Sequence, residues 1–320
     1  MKAIIVREFG AAEVMKLEEI EAREPNENQV LVRIKAAGVN PVDTYIRSGT
    51  YAQKPDLPYT PGKDGAGIVE KTGANVTKFK VGDRVLTADA GSGTYAEFSV
   101  FDEKQLIKLP ENVSFEQGAG VFVPYATAYR ALFQKAQGKS GETVLVHGAS
   151  GGVGVAAIQW AKNAGLKVIG TASSDEGKKL VKEQGADFVV DHSDENYLSE
   201  ILEITAGKGV EIILEMLANV NLQKDFDVLA RFGRVSIIGN RGSLEFNPRA
   251  IMGKDASVFG LALANVPDAE MNEIHTAIYD GLGKGFLEPI VGKTFPLENA
   301  VDAHRAVIEE KAFGKIVLTM

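Results

Sequence analysis

Eleven residues near the middle of the chain restrict its fold more than any others: Val144-Leu145-Val146-His147-Gly148-Ala149-Ser150-Gly151-Gly152-Val153-Gly154. A run of apolar β-formers enters a glycine-rich turn, and a helix of small inward-facing residues (Val153, Ala156, Ala157, Ala161) leaves it. A buried strand, a tight turn and a helix in that order place free N–H groups and the positive end of a helix dipole where a pyrophosphate binds. Gly151 and Gly152 let a diphosphate approach the backbone, and Gly154 lets the helix pack closely on the strand. Ala149 stands where the first glycine of the G-x-G-x-x-G pattern usually does.

The surroundings of this turn are periodic. Strands are expected over 143–147, 167–171, 187–190, 211–215, 234–238 and 257–263, alternating with helices over 125–135, 151–164, 176–184, 195–204 and 222–231. Such alternation implies crossover connections and a parallel sheet covered by helices on both faces, and six strands match the doubly wound α/β dinucleotide (Rossmann) fold. The first 120 or so residues read differently. Residues 29–35 (QVLVRIK) alternate apolar and charged, 67–71 form another short strand, and Gly82-Asp83 turns into a third. Pro41, Pro55, Pro58 and Pro61 mark loop and short helix between them, so an antiparallel, barrel-like domain is expected. Helices over 269–282 and 297–309 and a strand over 315–319 are too few for a domain of their own. They either extend the parallel sheet or pack back on the first domain, and the second is favoured. The expected organisation is therefore 1–123 with 265–320 as one domain and 124–264 as the nucleotide-binding domain inserted in it.

Composition excludes several chemistries. The chain has no cysteine, so disulfides, thiolate nucleophiles and Cys-ligated zinc are ruled out. Its four histidines, His147, His192, His275 and His304, are scattered and form no metal-ligand pair, so no metal is expected. A net charge of −8 disfavours a broad basic face for nucleic acid. The first residues lack a signal-peptide pattern and no apolar run is long enough to span a bilayer, so a cytoplasmic protein without a membrane partner is expected.

The tip of the second parallel strand bears on the choice of nicotinamide. An acid there would hold a ribose 2′-hydroxyl and repel a 2′-phosphate. Ala172-Ser173-Ser174 is small and neutral, and Lys178 and Lys179 follow one turn later, which favours NADPH. Asp175 and Glu176 pull the other way, unless they serve only the helix dipole. Without zinc to polarise a carbonyl, alcohol oxidation lacks its electrophile, whereas an electron-poor quinone or conjugated enone needs positioning alone.

Long stretches carry a family resemblance: Gly38-Val39-Asn40-Pro41-Val42-Asp43-Thr44-Tyr45-Ile46-Arg47-Ser48-Gly49, Pro58-Tyr59-Thr60-Pro61-Gly62, the glycine turn, and Glu215-Met216-Leu217-Ala218-Asn219-Val220-Asn221-Leu222. Through them essentially the whole chain resembles the zinc-free branch of the medium-chain dehydrogenase/reductase superfamily, and within it the zeta-crystallin-type NADPH:quinone oxidoreductases. Lys63-Asp64 stands where zinc-dependent relatives carry His-Glu. The resemblance implies a GroES-like catalytic domain beside a Rossmann domain, with Tyr45, Asn40 and Thr127 positioning nicotinamide and substrate. It implies diphosphate contacts from Ser150, Gly151, Gly152 and Val153, and adenosine-end contacts from Ser173, Lys178, His192 and Asn221. Ile238, Gly239, Asn240 and Arg241, with Leu261, Ala262 and Leu263, would close over ribose and nicotinamide. Lys315 reads as a charge at a strand edge. The implied reaction is quinone reduction, with reduction of the C=C bond of enals or enones as the alternative. NADPH-sensitive binding of AU-rich RNA or single strands is a further reading, which the net acidity opposes. A homodimer or homotetramer is implied, with strand 257–263 as the candidate for sheet extension.

Overall fold

The computed structural model describes residues 1–88 and 93–320. The chain divides into two compact units, Met1–Val123 with His275–Met320, and Pro124–Ile274. The return to the first unit comes at His275 rather than at residue 265. The first turns of helix Asp268–Lys284 are tied within the second unit, where Arg130 pairs with Glu270 at 2.5 Å and Tyr129 donates to Glu273 at 2.7 Å.

The second unit is a six-stranded sheet in the order Phe188–Val190, Lys167–Thr171, Thr143–Val146, Val210–Glu215, Leu229–Ile237, Ser257–Gly260. Every adjacent pair is parallel. In sequence this is strand order 3-2-1-4-5-6, the doubly wound arrangement, whose direction reverses between Thr143–Val146 and Val210–Glu215. Strands buried on both faces must be apolar throughout, and Val144, Leu145, Val146, Ile212, Ile213 and Leu214 are fully buried. Two elements depart from expectation. The strand expected over 257–263 ends at Gly260, and Leu263–Asn265 forms a 3₁₀ turn. The helix expected over 125–135 begins at Phe122 and widens to i→i+5 bonding over Arg130–Lys135, where Ala136 N donates to Ala131 O at 3.0 Å.

The first unit contains a sheet ordered Val291–Pro296, Lys315–Thr319, Gln29–Val39, Asp64–Thr72, Arg84–Thr87, Leu106–Lys108, with Phe98–Asp102 also pairing with Gln29–Val39. Strand Lys315–Thr319 lies antiparallel to the 36–39 end of Gln29–Val39, so the last elements pack back on the first unit. Strand Val291–Pro296, absent from the sequence reading, runs parallel beside Lys315–Thr319, so the sheet is mixed. Among the described residues its ladder runs from Val291–Pro296 to Leu106–Lys108 without closing, which corrects the expected barrel to an open sheet. Its core gathers Val30, Val32, Ile34, Val85, Phe101 and Ile316.

Candidate active site

Every segment of the second unit expected to touch a dinucleotide, Thr127 apart, follows the carboxyl end of a parallel strand. Ser150–Val153 follow Thr143–Val146, Ser173 follows Lys167–Thr171, and His192 follows Phe188–Val190. Asn221 lies beyond Val210–Glu215, Ile238–Arg241 beyond Leu229–Ile237, and Leu261–Leu263 beyond Ser257–Gly260. Thr127 lies in helix Phe122–Tyr129 and is 7% exposed. Ligands of open α/β sheets bind outside the carboxyl ends where strand order reverses, and the glycine turn sits at that reversal.

The turn is built for a close anion. Ala149 N donates to Thr171 O at 3.0 Å and Gly148 N to Thr171 Oγ1 at 3.2 Å, which ties it to the neighbouring strand. Gly148 has φ +54°, a left-handed conformation. A Cβ on Gly154 would lie 2.5 Å from Ala149 Cα and Gly148 O, so only glycine lets helix Gly152–Asn163 seat there. The helix presents its first N–H groups without a side-chain cap.

Glu215 organises the other side of the reversal, a role the sequence reading missed. It is fully buried at the end of its strand. Its carbonyl accepts from Ile238 N at 2.8 Å and Gly239 N at 3.2 Å. Its Oε1 accepts from Leu217 N and, at 3.2 Å, from Asn221 Nδ2. Three residues expected to bind the cofactor are thus held by one acid. Asn219 Oδ1 accepts from Arg241 N at 2.9 Å, joining the same two loops again. His147 is buried, as read, and faces Asp225 Oδ1 at 2.8 Å and Glu215 Oε2 at 3.4 Å.

At the expected adenosine end, Ser174 caps helix Asp175–Glu183 by accepting from Gly177 N at 3.3 Å. Asp175 and Glu176 occupy its first turn, where the dipole favours acids. Lys178 Nζ lies 2.6 Å from Asp191 Oδ2, an acid just beyond strand Phe188–Val190 that the sequence reading did not single out. That hydrogen bond raises the Lys178 pKa, while Lys178 and Ser193 hold Asp191 well below the usual carboxylate range. His192, beside it, is exposed.

In the first unit, Asn40 and Tyr45 share one short helix, Pro41–Arg47, and its N-cap. Asn40 N donates to Asp43 Oδ2 at 2.8 Å, and Asn40 Nδ2 donates to Asp64 Oδ2 at 3.1 Å. Burial pushes the Asp43 carboxyl up to about 6. Lys315 is not a strand-edge charge. Its strand is interior to the sheet, and the side chain is 5% exposed, with Nζ donating to Asp64 Oδ2 at 2.8 Å and to Asn40 Oδ1. Asp64 Oδ1 also accepts from Val123 N at 2.9 Å. Tyr45 is half-buried, and a depression of about 380 Å³ beside its helix is bounded by Asp43, Ile46, Tyr51, Tyr59 and Lys63.

A catalytic zinc needs three protein ligands and an open position. Among the described residues, the His and acid side chains that converge with ligand atoms within 4.8 Å are His147, Glu215 and Asp225, all buried in the second unit. At Lys63-Asp64 the carboxylate is already committed to Asn40, Lys315 and Val123. The described residues do not fit a catalytic zinc.

Known proteins agree with this architecture. Residues 26–111 match the alcohol dehydrogenase GroES-like domain, and residues 152–278 match the zinc-binding dehydrogenase model. The human protein named quinone oxidoreductase is 48% identical over 100% of this chain and 98% of its own length. The crystal structure of Escherichia coli quinone oxidoreductase complexed with NADPH superposes with a TM-score of 0.91 at 31% identity, covering 100% of both chains. A structure titled NAD-dependent alcohol dehydrogenase reaches a TM-score of 0.92, also at 31% identity with 100% of both chains covered, so the fold alone does not select the nicotinamide. Sequence identity over the full length, not fold, assigns the branch: the chain belongs to the quinone oxidoreductase family of the medium-chain dehydrogenase/reductase superfamily.

Proposed function

We propose that this oxidoreductase reduces quinones with NADPH, without zinc. The observation that carries the reading is the uncapped, glycine-lined helix start at the point where strand order reverses. The quinone oxidoreductase name of the human relative and the NADPH in the Escherichia coli structure support it. NADPH supplies the hydride when bound. The N–H groups of Ser150 to Val153 hold its diphosphate, aided by the dipole of helix Gly152–Asn163. Lys178, poised on Asp191, takes the 2′-phosphate by exchanging one anion for another. Ser173, His192 and Asn221 line the adenosine end, and Ile238–Arg241 with Leu261–Leu263 cover ribose and nicotinamide. Tyr45, Asn40 and Thr127 position the reactants and exclude water, Asn40 being fixed by Asp64 and Lys315. In this assignment Pro124–Ile274 form the cofactor domain, and Met1–Val123 with His275–Met320 form the catalytic domain. A quinone is electron-poor, so positioning is enough and no metal electrophile is required.

The deciding experiment titrates the purified protein with NADPH and NADH by nicotinamide fluorescence and then assays ortho- and para-quinones beside 2-alkenals. NADPH preference with quinone turnover is expected. Turnover of alkenals but not quinones would replace the substrate class and keep the site, whereas NADH preference would hand the adenosine end to Asp175 and Glu176. We also infer a cytoplasmic homodimer or homotetramer. Strand Ser257–Gly260 pairs with Leu229–Ile237 on one side and, among the described residues, with no strand on the other. Light scattering that found only a 34.3 kDa species would refute the assembly.

No helix of the described residues is long and apolar enough to cross a membrane.

A further inference from the structure

Beneath the reversal of strand order lie three buried ionisable side chains that the proposed reaction does not use. His147 is the residue between strand Thr143–Val146 and Gly148 of the glycine turn, Glu215 ends strand Val210–Glu215, and Asp225 projects from helix Ala218–Val228. Their exposures are 3%, 0% and 0%. Nε2 of His147 lies 2.8 Å from Asp225 Oδ1 and 3.4 Å from Glu215 Oε2. Glu215 Oε2 and Asp225 Oδ2 are buried without a hydrogen-bond partner.

We propose that Glu215 is a positioning residue for the dinucleotide, and that a proton shared between Glu215 and Asp225 must be in place for the Leu217–Asn221 turn to hold the cofactor. The inference rests on the NADPH reading above.

The argument begins with charge. Two carboxylates in a dry site, faced by one imidazole, cannot both be ionised without a large desolvation and repulsion penalty. The two side chains lie within hydrogen-bonding reach of each other, and a proton between them removes that penalty by joining acid to carboxylate. Burial pushes Glu215 and Asp225 each up to about 7, and burial also lowers His147, against the pull of Glu215. The other titratable group facing them is Tyr197 of helix Tyr197–Ile204, whose hydroxyl is pushed up to about 12 by burial and then by both acids. Tyr197 therefore stays neutral and supplies no counter-charge.

Geometry connects this proton to the site. Glu215 Oε1 carries Leu217 N and Asn221 Nδ2, while its backbone carbonyl carries Ile238 and Gly239. Loss of the proton sets a second negative charge against Asp225, and the carboxylate can relieve the repulsion only by moving the turn that it holds. An anionic dinucleotide arriving above the pair raises its proton affinity in turn, so binding takes up a proton. A bound cation is a poorer account of the same three groups. Ligands on a tetrahedral zinc stand ~3.3 Å apart, given bonds of ~2.0–2.1 Å, and the 2.8 Å contact of His147 with Asp225 is a hydrogen bond.

The experiment is calorimetric titration of the full chain with NADPH between pH 7 and 8.5, in pairs of buffers with different ionisation heats. This range lies above the ~6 of a phosphate monoester, so the ligand's own titration is small. Wild type is expected to take up a fraction of a proton, and its Kd to rise about three- to tenfold over the range. Glu215→Gln is expected to bind without uptake and with a flat pH profile, and Asp225→Asn to do the same. Tight wild-type binding with no uptake and a flat Kd would overturn this proposal and leave the NADPH reading intact, whether or not the variants fold. Absence of NADPH binding at every pH would overturn both. A stoichiometric divalent metal in the purified protein, lost on His147→Ala, would replace the proton with an ion and overturn the proposal.

Discussion

The two units each bury a group of charged side chains next to their functional segment, and the groups are balanced in opposite ways. In the first unit Asp64 faces the ammonium of Lys315, a fixed positive charge, with the Asn40 amide bonded to both. In the second unit Glu215 and Asp225 face an imidazole that burial discourages from charging and the neutral hydroxyl of Tyr197. The first arrangement is a buried ion pair of opposite charges, bridged by an amide. The second depends on protons and therefore on pH near neutrality. Under the proposed assignment, an ion pair anchors the residue that would orient reactants, and a protonatable pair lies under a loop that would respond to an anionic ligand.

Breaking the fixed pair should have the largest effect. Lys315→Met leaves Asp64 buried without a counter-charge, and a loss of about 3–5 kcal/mol in unfolding free energy is expected. The double variant Lys315→Met/Asp64→Asn should recover most of it. Chemical denaturation measures both, and a single-variant loss under ~1 kcal/mol would mean that water reaches the pair.

The protonatable pair should give a smaller effect that depends on pH. Folded Glu215 has its pKa raised from 4.5 to about 7. Its contribution to stability is thus fully present below 4.5 and is lost as pH rises through 7. Glu215→Gln does not titrate, so the stability difference between variant and wild type should move in the variant's favour across that window, by on the order of 2 kcal/mol. Denaturation curves at pH 5 and pH 8 test this, and a difference independent of pH would remove the contrast between the groups.

The half-buried pair of Lys178 with Asp191 sharpens the comparison from the other side. Solvent reaches it and screens it in part, so Lys178→Ala should lower the denaturation midpoint only slightly. NADPH affinity should nevertheless fall about five- to tenfold while NADH affinity is unchanged. An equal loss for both nucleotides would show that Lys178 does not meet the 2′-phosphate.

These contrasts explain what the sequence could and could not reveal. The strand of Val144 to Val146, the glycine turn and the alternation around them were legible because periodicity and glycine spacing are local signals. So was the role of Gly154, whose absent Cβ makes room for Ala149. Val291–Pro296 was missed because Gly292, Lys293 and Pro296 dilute its β-signal and its partner is parallel. Lys315 was misread because a lysine in a strand usually faces water, and the acid that buries it is 251 residues away. Asp225 likewise stands 78 residues from His147, so nothing in either neighbourhood announces the contact. Of the expected site residues, Asn221, Ile238 and Gly239 share Glu215, an acid that had no motif of its own beyond the run containing it.

The separation of Asp64 from Lys315 also sets an order of assembly. Residues of the second unit, Pro124–Ile274, are contiguous, so all six strands of their sheet are available to pair once they have left the ribosome. The first unit waits. At ~5–20 residues per second, the 251 residues between Asp64 and Lys315 take about 10–50 s to make. Throughout that interval the strand Asp64–Thr72 carries an acid without its lysine, and the outer edge of Gln29–Val39 near Gly38 lacks strand Lys315–Thr319. Until the last strand arrives the nascent chain therefore presents an open sheet edge, the kind of edge that pairs with other chains unless it is covered.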